Sequence, residues 1–217
     1  MLIRLLKIAR RVKAFILCGI ARTSMIGLSR GPHITRYTMY KHLQETNPCK
    51  EPGLKVLSIS HSDKLCHILG FREEDITTGN YPDVNILALP YADHEFDIVV
   101  NDQVLEHVEG PPEQAVRETY RVLKPGGVVI TTTCFINPLH AAPSDFWRFT
   151  PDALKLLHKE FSEIIDVGGW GNEWVWYLTR LGLRYDGIPN ARWHPLHFVA
   201  TWNDDEWAVS VWIVARK

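Results

Sequence analysis

Two apolar runs bracket an amphipathic segment in the middle of the chain. Residues 96–101 read Phe-Asp-Ile-Val-Val-Asn and residues 128–134 read Val-Val-Ile-Thr-Thr-Thr-Cys. Between them, after Pro111 and Pro112, Ala115, Val116, Tyr120 and Leu123 fall on one helical face. Strands this apolar belong to a buried parallel sheet, and a helix is the connection that parallel neighbours require. The alternation extends outward: a strand at Leu54–Ser60, a short helix at Asp63–Leu69, a weaker strand at Asp75–Gly79 and an extended stretch at Asp83–Leu87. The central helix stops at Lys124-Pro125-Gly126-Gly127, where cation, proline and glycines are all stop signals. Thr150 caps and Pro151 opens a further helix to about Lys159. Phe161–Val167, a helix around Glu173–Leu181, and Trp207–Ala215 follow. The expected class is α/β, a mostly parallel sheet with helices on both faces and an antiparallel ending.

Composition narrows the functional classes. The 217 residues correspond to roughly 1.4 average domains, so one domain with extensions is expected. Lys and Arg number 24 against 25 Asp and Glu, a net charge of -1, which argues against a nucleic-acid-binding polyelectrolyte. Cys18, Cys49, Cys66 and Cys134 form no CxxC pair and no His/Cys/Asp cluster has metal-ligand spacing, so no metal site is expected, and reduced thiols in a cytoplasmic protein are the simplest reading. No apolar run approaches the ~20 residues of a membrane span.

The two ends differ. The first acidic residue is Glu45, whereas Arg4, Lys7, Arg10, Arg11, Lys13 and Arg22 crowd the start. Leu5, Ile8, Val12, Phe15 and Ile16 recur at helical spacing, making residues 1–17 a basic amphipathic helix. Such a helix packs on its own domain, docks on a partner or makes peripheral contact with a membrane; an organelle transit peptide also fits the pattern. Residues 29–51 read as a connector with a short helix at Tyr37–Leu43, which divides the chain into 1–50 and 51–217. All eight tryptophans follow residue 146, and Trp170, Trp174 and Trp176 with Tyr177 make either core or an aromatic platform for an acceptor.

Ligands of open α/β sheets lie beyond the carboxyl ends of the strands. That points to Ser58–Ser62, Gly79–Pro82, Asn85–Pro90 and Asn101–Gln103. Leu89-Pro90-Tyr91-Ala92-Asp93, Phe96-Asp97-Ile98-Val99-Val100, Val104-Leu105-Glu106-His107-Val108 and Arg121-Val122-Leu123-Lys124-Pro125-Gly126-Gly127 together resemble the central block of class I S-adenosylmethionine-dependent methyltransferases. The resemblance covers about residues 54–170. It implies a Rossmann-like sheet of seven strands, S-adenosylmethionine as cofactor, and an acceptor held by the loops after the fourth and fifth strands. Pro138-Leu139-His140, Pro143 and the run from Asp145 to Thr150 are similar to bacterial members associated with glycan genes, so a small-molecule or glycan-like acceptor is implied.

The same resemblance implies the cofactor-binding positions Ser58, Ser60, His61, Ser62, Asn80, Asn85, Ala88, Leu89, Asn101 and Gln103. Serines stand where the family carries glycines after its first strand. Asn80 and Asn85 stand where acids would meet ribose and adenine, so charge-assisted bonds become neutral ones. His140 is the candidate base for a hydroxyl acceptor. Asp145 and Arg148 bind the acceptor or orient His140; alternatively they form an i,i+3 ion pair that pins their loop. Glu106-His107 reads as structural support. The rival function is a binding or scaffold protein that kept the fold and lost the cofactor. A nicotinamide-dependent enzyme is disfavoured, because no G-x-G-x-x-G turn is present.

Overall fold

The computed structural model describes residues 2–49, 51–141 and 144–217, with side chains from Arg11 onward. Lys7 and Arg10 therefore lie outside the described side chains. In chain order the helices are α1 (Leu2–Ser24), α2 (Tyr37–Thr46), α3 (Asp63–Ile68), α4 (Pro112–Val122), α5 (Pro151–Leu157), α6 (Trp174–Arg180) and α7 (Pro195–Thr201). The strands are β1 (Arg30–His33), β2 (Val56–Ile59), β3 (Ile76–Gly79), β4 (Phe96–Asp102), β5 (Leu123–Cys134), β6 (Glu163–Trp170), β7 (Gly187–Pro189) and β8 (Ser210–Arg216).

The chain folds as two compact units. The larger comprises residues 39–170 and 208–217, the smaller residues 1–38 and 171–207. The sequence division at residue 50 follows composition, whereas these units follow contacts made across the length of the chain.

The larger unit is built on a six-stranded sheet of order β3-β2-β4-β5-β8-β6. β3, β2, β4 and β5 are parallel, and β8 runs antiparallel between β5 and β6. Seven strands were expected and six form. The missing one is Asp83–Leu87, which is a turn. Asn85 Oδ1 accepts the Leu87 N–H at 2.9 Å, and the Ala88 N–H returns to the Asn85 carbonyl at 3.0 Å. An asparagine that closes its own backbone this way competes with a sheet ladder.

A second correction concerns residues 124–127. α4 does end just before them, at Val122, but the strand expected from Val128 already starts at Leu123, so residues 124–127 form its bulged opening, where pairing jumps from Phe96↔Leu123 to Ile98↔Val128. Gly126 has φ +79, and a Cβ on Gly127 would meet the Asp97 and Lys124 carbonyls at 2.9 Å. Both glycines are demanded by the bulge. Lys124 Nζ bonds both oxygens of Asp97 at 2.8 Å across it.

One face of the sheet is packed by a core of Leu57, Ile59, Val99 and Ile213 with Leu105, Ala115, Val122 and Leu154, all essentially without exposure. Arg121, at the end of α4, donates to the Leu89 and Tyr91 carbonyls and to Asp93 and Glu118, all within 2.9 Å. It ties residues 89–93 to the helix and so fixes one wall of the region beyond the strands. Thr150 Oγ1 accepts the Ala153 N–H at 3.1 Å, the expected cap of α5.

In the smaller unit β1 pairs antiparallel with β7. Tyr37, fully buried, donates its hydroxyl to Asn190 Oδ1 at 3.0 Å. α1 presents Cys18 inward and is anchored by the ion pair Arg22–Asp186 at 3.0 Å, and Met25, just past its end, is buried as well. Its Val12, Phe15, Ile16 and Ile20 are exposed, Phe15 at 82%.

Candidate functional site

A cavity of about 500 Å3 opens in the larger unit where β2, β3 and β4 end. Its wall takes Ser60 and His61 from the loop after β2, Tyr81 after β3, and Gln103 and Val104 after β4. Ile86, Leu87, Val108 and Phe146 add apolar surface, and Asn85, His107, Glu109 and Ser144 add polar groups.

The loop after β2 bends through Ser60 at φ 52 and His61 at φ 64. These are left-handed values that glycine adopts most easily. The loop thus keeps a glycine-like path without glycine, and neighbouring bonds hold it. The Ser60 N–H reaches the Gly79 carbonyl at 2.8 Å, and the His61 N–H reaches Asn80 Oδ1 at 2.8 Å. Ser62 Oγ donates to the Ile59 carbonyl and accepts the Asp102 N–H at 2.7 Å, stitching β2 to β4.

Of the ten sequence-derived cofactor positions, Ser60, His61, Asn85 and Gln103 line the cavity. Ser58, Ser62 and Asn101 are buried behind it, with Asn101 Nδ2 bonded to Thr131 Oγ1 at 2.8 Å. Asn80 turns its oxygen toward the loop rather than outward. Leu89 is buried and its N–H bonds Glu118 at 2.8 Å; Ala88 closes the Asn85 turn. Gln103 is at φ 58, and its side-chain amide bonds Thr132 Oγ1 and the Thr133 carbonyl at 3.1 and 2.9 Å. Its position is set by β5.

His140, Asp145 and Arg148 are adjacent. Arg148 grips both oxygens of Asp145, one of them at 2.7 Å, and also reaches the Asn137 and Pro138 carbonyls at 3.2 and 3.3 Å. Asp145 Oδ2 accepts the backbone N–H of His140 at 2.8 Å. The guanidinium holds this carboxyl far below the usual carboxylate range, despite burial acting the other way. With both oxygens occupied, the pair braces residues 137–148.

His140 stands edge-to-face with His107, centroids 5.0 Å apart at 78°. His107 Nδ1 lies 2.5 Å from the Ser144 carbonyl, and His140 Nδ1 lies 3.1 Å from the Pro138 carbonyl. The Asn137 amide nitrogen is 3.2 and 3.5 Å from the two nitrogens of the His140 ring. Glu106, fully buried, takes the Thr133 hydroxyl on Oε2 at 2.8 Å. Sequence reasoning treated Glu106 and His107 as support and put the chemistry on His140 with Asp145 and Arg148. The register of β4 and β5 carried the signal: Asp102 pairs with Thr132, so the segments that follow these strands leave the sheet side by side.

The aromatic residues do not share one setting. Trp170 is buried in β6 of the larger unit, whereas Trp174 and Tyr177 on α6 of the smaller unit are exposed, ring centroids 5.3 Å apart.

Residues 44–131 match the family described as the methyltransferase domain. Over that match the chain is similar to S-adenosylmethionine-dependent methyltransferases. A relative from Mycolicibacterium smegmatis, named "Probable S-adenosylmethionine-dependent methyltransferase", is 30% identical over 119 residues, covering 50% of this chain and 45% of its own. A Ruegeria pomeroyi relative named "Ubiquinone biosynthesis O-methyltransferase" is 41% identical over 113 residues, covering 42% and 45%. The chain thus spans under half the length of each of these relatives. Among solved structures, the 4+2 cyclase SpnF superposes with a TM-score of 0.55 at 17% identity, covering 83% of this chain and 80% of its own. That likeness concerns the fold alone.

Proposed function

We propose that this protein transfers a methyl group from S-adenosylmethionine to a hydroxyl of a small-molecule or glycan-like acceptor. The observation that carries the reading is a cavity bordered by the loop at Ser60–His61, by Asn85 and Gln103, and by the imidazole of His107. The cofactor fits this setting. The volume falls in the usual range for small-ligand sites of about 300–1,000 Å3, and the left-handed backbone at Ser60 and His61 preserves the bend that a close-approaching ligand needs. Ser60, His61, Asn85 and Gln103 would hold it. When bound, it supplies a methyl group on a positively charged sulfur.

The chain's own groups divide the remaining work. Ile86, Leu87, Val104, Val108 and Phe146 exclude water. His107, with His140 beside it, is positioned to polarise or deprotonate a hydroxyl that enters the cavity. Asp145 and Arg148 hold His140 in place through its backbone. The Ruegeria pomeroyi relative's name supports an oxygen acceptor.

A non-catalytic binding role is the second reading, favoured by one observation: the Asn80 oxygen is engaged by the His61 N–H, and the cavity's acidic group is the exposed Glu109. Titration calorimetry separates the two. The wild type is expected to bind S-adenosylmethionine, and Ser60→Trp to abolish binding while thermal unfolding stays cooperative. Absence of heat at millimolar cofactor retires the methyltransferase reading.

The proposal extends to location. No helix among the described residues is long and apolar enough to cross a membrane. The basic side chains of α1 and the exposed Val12, Phe15, Ile16 and Ile20 suit peripheral contact of a cytoplasmic protein with an anionic membrane surface.

A further inference from the structure

We infer that Glu106, His107 and His140 form a binding site for one divalent transition-metal ion, with its open coordination positions turned to the cavity. Each of the three offers a ligand atom, and these atoms lie within 4.8 Å of one another. Two imidazoles and one carboxylate are the donor set of open, catalytic-type sites for zinc, and the same set suits iron(II).

The surroundings orient the ligands as such sites require. A metal-binding histidine normally donates its second ring N–H to a carbonyl, which fixes the tautomer. His107 Nδ1 faces the Ser144 carbonyl at 2.5 Å and His140 Nδ1 faces the Pro138 carbonyl at 3.1 Å. A proton on each Nδ1 leaves the Nε2 lone pair for a metal. Glu106 is held by the Thr133 hydroxyl on Oε2. The neighbouring cation, Arg148, bonds both oxygens of Asp145 and also feels the Glu106 carboxylate. Three donor groups, one carboxylate and two imidazoles, therefore face each other.

Ligand atoms around a tetrahedral ion with bonds of about 2.1 Å stand about 3.4 Å apart. The spread here needs a closure of roughly an ångström, within reach of side-chain rotation at His140, whose segment is joined to the sheet through Arg148 and Asp145. Glu106 and His107 are fixed at their backbone by β4 and the turn that follows it. His107 lines the cavity beside Gln103 and Ser144. An oxygen of a ligand in the cavity completes the coordination. With the metal bound, His107 and His140 serve as ligands and not as the proton acceptor; for a hydroxyl acceptor the O–H bond breaks, the proton leaves to water, and the oxygen keeps the electron pair. That last role rests on the methyl-transfer reading; the metal site itself does not.

The test uses the full chain freed of metal by a chelator and titrated with Co2+, whose visible absorption reports the ligand set, followed by displacement with Zn2+. The expected result is one equivalent bound, with affinity lowered 100-fold or more in His107→Ala and in His140→Ala. His67→Ala, an exposed histidine outside the cluster, should titrate like wild type. His140→Gln, a mild change in a half-buried loop residue, serves as a second variant should His107→Ala fail to fold. Absence of saturable binding by the wild type, or binding by folded variants equal to wild type, overturns the inference. Calorimetry with S-adenosylmethionine on the same samples keeps the two readings apart. Cofactor binding without metal binding removes this site and leaves methyl transfer standing; metal binding without cofactor binding does the reverse.

Discussion

His158 shows how one buried side chain sets a pH limit on the fold. It is fully buried, its Nδ1 bonds the Leu154 carbonyl at 2.9 Å, and its Nε2 meets no hydrogen-bond partner among the described residues. Burial pushes its pKa down to about 4 from the ordinary 6.5. Between those values the unfolded chain binds the proton and the folded chain does not. Stability is therefore complete above about pH 6.5 and falls as the pH drops toward 4, by about 1.4 kcal/mol per unit. Urea unfolding across pH 4–7 should show this slope, and His158→Asn, which keeps the bond to Leu154, should flatten it. Nothing around His158 in the sequence announced this. Its burial comes from the packing of α5 and from Phe161, whose ring lies 5.2 Å away. Asn80 and Asn85 carry the same lesson. The family resemblance assigns them to ribose and adenine, whereas their oxygens close local turns with His61 and Leu87, a use that only coordinates reveal. Asn80→Asp keeps an acceptor for the His61 N–H and adds a second, charged oxygen. Calorimetry is expected to give tighter cofactor binding; weaker binding would mean that the new charge meets no ribose.

Individual elements were legible in proportion to how local their cause is. β2, β4 and β5 declare themselves by apolar β-branched runs, and α4 and α5 by proline and cap residues placed at their starts. β1 and β7 do not: Arg30 pairs with Pro189 and His33 with Gly187, partners far apart in a sequence without strand periodicity. α1 was legible as amphipathic but not in how its apolar residues divide. Cys18 takes the packed side, leaving Phe15 and Ile20 outward. Two experiments follow for that helix. Lys7, Arg10 and Arg11 exchanged together for Glu should release the protein from anionic vesicles in a sedimentation assay, since each basic contact is worth about 1 kcal/mol at such a surface. Phe15→Ser should weaken vesicle binding with little change in the unfolding midpoint. At the end of α4, Arg121→Ala removes four hydrogen-bonded partners at once and leaves two carbonyls unfilled. A loss of about 2–3 kcal/mol in denaturant unfolding is expected. Equal stability would show that water replaces the guanidinium without cost.

At the scale of the whole molecule, the division into units was the least legible feature. Residues 171–207 adjoin the sheet strands in sequence, yet they cluster with residues 1–38. No periodicity in either segment names the other, because the match is one of shape between distant stretches. Sheet order has a similar character. β8 pairs with β5 on one side and β6 on the other, in antiparallel register from Val128↔Arg216 to Cys134↔Ser210 and from Glu163↔Arg216 to Trp170↔Ser210. Removing residues 210–217 should therefore abolish cooperative thermal unfolding rather than trim an edge. The same insertion bears on how the protein is made. A ribosome delivers β5 and β6 well before β8 exists, and in the finished sheet neither touches the other. Until Ser210–Arg216 emerges, the apolar flank of β5 and the whole of β6 wait as open hydrogen-bonding rims on a half-made protein. Nascent chains stalled before that strand should accordingly be the ones that chaperones retain and that stick to one another, and release should coincide with the last strand sliding into its slot.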